Sequence, residues 1–153
     1  MRRTRRMRRF ACGLSMVALA ASAAAAGRAK LLDARWQPEA AVPAGSRVSD
    51  DGQTLTTPLP PSPTDLVAHA TLGFDVSRGN DGILSFLSSH PWVRCEAPDG
   101  LIVPESGSVA VVCTADAHEL ARLERKTRVY LKADPPGGGA HRKLYWILLP
   151  PPK

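Results

Sequence analysis

From Leu66 onward, apolar and polar positions alternate with a period of two. In "LVAHATLGFDVS", Leu66, Ala68, Ala70, Leu72, Phe74 and Val76 are apolar, and the intervening positions are mostly polar or small, Val67 excepted. Successive side chains of a strand point to opposite faces, so this run predicts a half-buried strand, bent at Gly73. "ILSFLSS" predicts the next strand. "WVRCEA" follows, with Trp92, Arg94 and Glu96 on one face and Val93, Cys95 and Ala97 on the other. "LIV" is a short strand, and "SVAVVCT" aligns Val109, Val111 and Cys113. "RVYLKAD" and "RKLYWILL" complete the series. "RGND", "PDG", "PESG" and "PPGGGAH" are turns or loops. Only "ADAHELARLERK" reads as a helix, of one to three turns, with Leu120 and Leu123 inward at i,i+3 spacing.

Short strands at intervals of about 8 to 12 residues, joined by Pro, Gly and Asp turns, predict an all-β antiparallel sandwich over residues 66–153. Strands do not alternate with helices, which argues against a parallel α/β sheet. Residues 27–65 differ in composition. They are rich in Pro, Ala, Ser and Asp and read as an N-terminal arm that includes Trp36. "RVSDDGQTLTT" predicts a small hairpin around Asp51-Gly52. "PLPPSPTD" is a stiff connector, because proline fixes φ and has no backbone donor.

The layout from Phe74 to Leu149 resembles a bacterial immunoglobulin-like domain, in particular modules of the BACON and ASH types. "NDGILSF" precedes the Trp-bearing "HPWVRC"; then come the turn "VPESG", the valine-rich "SVAVVC", the connector "ADAHEL" and the strands "RVYLKA" and "KLYWILL". Where such domains carry a glycine turn before the penultimate strand, this chain has "LARLERKT". The resemblance implies an immunoglobulin-like sandwich and a role in binding or scaffolding, toward proteins or carbohydrates. No site residue carries over.

The N-terminus changes the charge picture. "MRRTRRMRRF" holds six arginines, and a weakly apolar run then extends to about Ala26 and ends in small residues. This is the pattern of a secretory signal peptide over residues 1–26, with cuts after Ala23 or Ala26. The run is shorter than the roughly 20 apolar residues a membrane span needs, so no span is expected in the mature form. The order of residues after the arginine pairs favours Sec over twin-arginine export, to the periplasm or beyond. The chain carries 20 basic and 14 acidic residues, for a net charge of +6. Six of the basic ones leave with the signal, so the mature charge is zero and the high pI gives no support for nucleic-acid binding.

An exported chain with two cysteines left, Cys95 and Cys113, favours a disulfide; two buried thiols are the alternative. Zinc needs about four ligands, and a redox pair usually shows C-x-x-C. The histidines, His69, His90, His118 and His141, are scattered and no nucleophile elbow occurs, so no catalytic residue, metal or cofactor is assigned. "DVSRGNDG" lacks EF-hand spacing and "PPGGGAH" lacks the end of a phosphate loop.

The candidate interface residues are Trp92, Tyr130, Tyr145, Trp146, Arg128 and Lys132. "RKLYWILL" is apolar on both faces, as in a buried central strand or one that meets a partner. Its terminal position suggests an edge open to strand addition, with the basic residues from Arg122 to Lys143 steering an acidic partner. The expected function is that of an exported, non-catalytic binding module or accessory subunit, acting on an envelope or periplasmic protein. A carbohydrate-binding module using exposed aromatics and an enzyme with a dispersed site are the alternatives. Processing is directly testable. Intact-mass analysis of protein from the envelope fraction is expected to find a chain starting at Ala24 or Gly27, and recovery of the intact arginine segment would contradict the signal.

Overall fold

A computed structural model describes residues 29–38, 42–78, 85–97, 103–135 and 139–153. The expected signal, the "RGND" and "PDG" turns and most of "LIV" and "PPGGG" lie outside the described residues. Nine strands are described: β1 (Lys30–Trp36), β2 (Arg47–Val48), β3 (Thr54–Pro58), β4 (Leu66–Asp75), β5 (Ser85–Ser88), β6 (Val93–Glu96), β7 (Ser108–Ala115), β8 (Thr127–Asp134) and β9 (Arg142–Leu149). One short helix, α1 (Ala117–Leu120), joins β7 to β8.

The strands form two sheets, ordered β1-β4-β7-β6 and β2-β3-β9-β8-β5. Naming β1, β4, β5, β6, β7, β8 and β9 as A to G gives A-B-E-D facing C-F-G, the strand order of an immunoglobulin-like sandwich. All pairings are antiparallel except β3–β9, which run parallel with Leu55 beside Trp146. The expectation of an immunoglobulin-like all-β fold with one short helix therefore holds, with one parallel pair added. The period of two holds as well. Ala68, Ala70, Leu72 and Phe74 of β4 are buried, as are Val109, Val111, Cys113 and Ala115 of β7.

The N-terminal arm needs correction. β1 pairs with β4 in the first sheet, and β2–β3 extend the second sheet along β9, so β1, β2 and β3 are part of the sandwich. The hairpin expected in "RVSDDGQTLTT" is present as β2–β3. In its turn, Ser49 Oγ donates to Asp51 Oδ1 at 2.6 Å and the Gln53 N–H donates to the same oxygen at 3.0 Å. These bonds, the Ser49 one foremost, hold the Asp51 carboxyl below its ordinary value. The proline connector carries the chain from β3 in one sheet to β4 in the other. At Gly107, in the "PESG" turn, φ is +70° and a Cβ would lie 2.7 Å from the Phe74 carbonyl oxygen. Only glycine fits that approach without a shift.

The core centres on two tryptophans. Trp36 and Trp146 are 2% and 0% exposed, with ring centroids 5.6 Å apart. The Trp36 ring N–H reaches the carbonyls of Gln53 (3.2 Å) and Tyr145 (3.0 Å), both in or beside the opposite sheet. The Trp146 ring N–H donates to Thr57 Oγ1 at 2.9 Å, and Thr57 shares a 2.7 Å hydrogen bond with Ser46. Thr57 is a buried polar side chain, and this chain of bonds removes the penalty of an unsatisfied hydroxyl. The Trp36 backbone N–H also donates to Gly52 O at 2.7 Å, so the end of β1 ties the first sheet to the hairpin of the second.

Trp146 is thus core, and β9 lies between β3 and β8 rather than at an edge, which overturns the expectation of strand addition there. Its apolarity on both faces is that of a covered strand. Trp146→Ala should cost about 3 to 5 kcal/mol in urea unfolding. Trp146→Phe, which removes part of the packing and the ring N–H donated to Thr57 while leaving the Thr57–Ser46 bond, should cost about 1 to 3 kcal/mol.

Candidate functional site

The interface candidates divide among three locations. Four come together on the outer face of the second sheet, where alternate residues of β8 and β9 point to solvent. Arg128, Tyr130 and Lys132 alternate with buried Val129, Leu131 and Ala133, and Lys143, Tyr145 and Ile147 alternate with buried Leu144, Trp146 and Leu148.

Register sets the geometry. Tyr130 stands directly opposite Tyr145, and Lys132 opposite Lys143. Diagonal neighbours across an antiparallel pair remain within reach of long side chains. The Arg128 guanidinium lies 4.2 Å from the Tyr145 ring centre, and Lys143 Nζ lies 5.7 Å from that of Tyr130. Each ring therefore carries a cation from the other strand, a contact worth about 0.5–1 kcal/mol at an exposed site. Lys132 is in an ion pair with Asp134 at 3.4 Å. Beside it, Leu87 of β5 faces Lys132 and is 56% exposed; Tyr130 is 41% exposed. On the far side of β9, Arg47 of β2 pairs with Thr56, itself beside Ile147, and extends the basic surface. The face is a tyrosine rung with four cations around it, one apolar side chain at its rim and one paired carboxylate.

Leu87 and Arg47 were not among the sequence candidates, and Lys143 entered only as the end of the basic run from Arg122. The period of two that put Tyr145 outward puts Lys143 beside it, so that residue was within reach. Leu87 and Arg47 depended on strand order, which no local pattern reveals.

Trp92 belongs elsewhere. It lies at the end of the first sheet, half-buried, with its ring at 5.2 Å from the His90 ring in an edge-on contact. A tight turn holds it there: Ser88 Oγ donates to His90 O at 2.8 Å, and the Val93 N–H donates to the same carbonyl at 3.0 Å. Trp92, Pro91, Arg94, Thr114, Asp116 and Glu119 line an open groove of about 700 Å³. Trp146, the last candidate, is internal.

Cys95 and Cys113 are directly opposed on β6 and β7 and bonded, with S–S 2.01 Å. Both lie in the first sheet, so the bond staples neighbouring strands and does not join the two sheets. Among the described residues, no group of three or more His, Cys, Asp or Glu side chains is placed to hold a metal ion. No known protein-family model matches the chain, and the search of curated proteins finds no match either. The fold and its surface geometry therefore carry the functional argument.

The disulfide spans 18 positions. Thiol titration of the unfolded, unreduced mature protein should find no free thiol, and reduction should lower stability by about 3 kcal/mol in urea unfolding. Two reactive thiols per chain would exclude the bond in the native protein.

Proposed function

We propose that this is an exported, non-catalytic binding module that docks an acidic protein of the cell envelope on the outer face of its second sheet. The observation that carries the reading is the Tyr130–Tyr145 rung with Arg128, Lys132, Lys143 and Arg47 around it. Tyrosine and arginine are enriched at protein interfaces, because both present large rigid area with a polar tip. The surrounding cations favour approach of a negatively charged partner, and exposed Leu87 supplies an apolar contact at the rim. Export is the reading of the arginine-rich N-terminus and fits a disulfide between Cys95 and Cys113. No helix among the described residues is long and apolar enough to cross a membrane.

A carbohydrate reading has less support on this face. Its two aromatic rings are already in contact with cations, Tyr145 with Arg128 and Tyr130 with Lys143, and Trp36 and Trp146 are buried in the core and offer no platform for a sugar ring.

Site-specific photo-crosslinking tests the proposal in intact cells. A crosslinker at Leu87 or Tyr130 should trap one acidic envelope protein, and a crosslinker at Ala110, on the outer face of the first sheet, should not. Tyr130→Ala with Arg128→Glu should abolish the Leu87 adduct while shifting unfolding free energy by no more than about 1 kcal/mol, since both side chains are exposed and such substitutions are mild. An adduct that persists in that variant, or that forms equally from Ala110, would refute the proposed face.

A further inference from the structure

The groove around Trp92 is separate from the tyrosine face, on the other sheet, and its charges are arranged differently. Its volume of about 700 Å³ falls within the range of small-molecule sites. Two rungs of the β6–β7 pairing build its floor. Arg94 stands opposite Thr114. Two residues along, Trp92 lies beside Asp116, joined by a bond from the Asp116 N–H to the Trp92 carbonyl at 3.1 Å. A strand rises about 3.3 Å per residue, so the rung with the guanidinium and the rung with the carboxylate are about 7 Å apart.

Glu119 reaches the carboxylate end because α1 starts there. Asp116 Oδ1 accepts from the Glu119 N–H at 3.1 Å, and Asp65 Oδ1 accepts from the Ala117 N–H at 2.7 Å, which fixes the helix on the end of β7. The Glu119 carboxylate contacts His118 and Arg122 only at 3.7 Å, through exposed side chains. Pairs of that length and exposure are weak, so an incoming ammonium can displace them. The groove therefore has a cationic end, an anionic end about one strand repeat away, and an indole wall alongside.

We infer that this groove binds a zwitterionic amino-acid-like group. The ligand's carboxylate sits on Arg94, its ammonium sits between Asp116 and Glu119, and its aliphatic body packs on Trp92. A ligand with one charge would match one end and cover the charge at the other without pairing it, at a desolvation cost. A neutral ligand would cover both ends without matching their charge, at a desolvation cost. Carboxylate and side-chain ammonium of an extended lysine are separated by about the same 7 Å as the rungs.

The probe is Nα-acetyl-lysine, which keeps only those two charges. Titrated into the 15N-labelled mature protein, it should shift the Trp92 indole signal and the amides of Arg94, Thr114 and Glu119 along one saturable curve. The dissociation constant should be about 1 mM, as suits so small a ligand. Arg94→Ala and Glu119→Gln should each weaken binding roughly tenfold, the loss of one charge-assisted contact, while the melting temperature and the Trp36 and Trp146 indole signals stay unchanged. Pentylamine, N-acetylnorleucine and methyl glucoside serve as the cation-only, anion-only and neutral controls. No saturable shift with Nα-acetyl-lysine would overturn the inference. So would equal binding of any control, or equal binding by Arg94→Ala.

Discussion

An indole buried without a hydrogen-bond acceptor forfeits about 1–3 kcal/mol, a large part of what its packing returns, and this sandwich buries two of them against each other. The Trp36–Trp146 contact therefore dictates what must surround it. Trp36 takes its acceptors from Gln53 and Tyr145, so the end of β1 has to sit over the start of β3 and the middle of β9. Trp146 takes Thr57, which places β3 alongside β9 in parallel register. Once β3 occupies that side of β9 and β8 the other, Leu144, Trp146 and Leu148 are confined to the interior. Tyr145, Lys143 and Ile147 are confined to the outer face. The position of the tyrosine rung is a by-product of how two ring nitrogens are satisfied.

The same constraint explains what was legible in the chain. Strands from Leu66 onward announced themselves, because one buried face against one solvated face writes a period of two directly into the sequence. β1 did not. Its register shifts between Leu31 and Asp33, so the buried residues Leu31, Ala34 and Trp36 are spaced three and then two apart, and the alternation that marks a strand is broken. β3 was read as half of a hairpin and not as a core strand, because one of its inward residues is Thr57, a polar side chain whose burial makes sense only with Ser46 and Trp146 in place. The central placement of β9 was one of two readings its apolar faces allowed, and the edge reading failed for a related reason. A strand apolar on both faces fits a central position, but the strand that fills its second side comes from the segment whose proline-rich composition suggested an arm.

The candidate sites show a similar division. Arg128, Tyr130 and Lys132 share a face by local periodicity alone, and the structure keeps them together. Their convergence with Leu87 and Arg47 depends on sheet order, a non-local property. The Trp92 groove depends on the β6–β7 register and on the capped start of α1, and only Trp92 among its walls stood out in the sequence. Residues 27–153 are neutral as a whole, with 14 basic and 14 acidic side chains, but that charge is distributed unevenly. The tyrosine face is cationic, and the groove on the other sheet carries both signs.

The parallel partnership of β3 and β9 has a kinetic meaning. Thr57 and Trp146 are 89 positions apart, and Trp36 and Tyr145 are 109 apart. Closing contacts of that span is slow, because the loop entropy must be overcome before the contacts stabilise anything. During synthesis, β1 can pair with β4, but the hairpin lacks its neighbour in the second sheet, and the Trp36 ring its acceptor at Tyr145, until β9 has emerged. The second sheet is thus left open by its own topology until the last strand is made. Under the export proposed above, such a delay would favour passage as an unfolded thread.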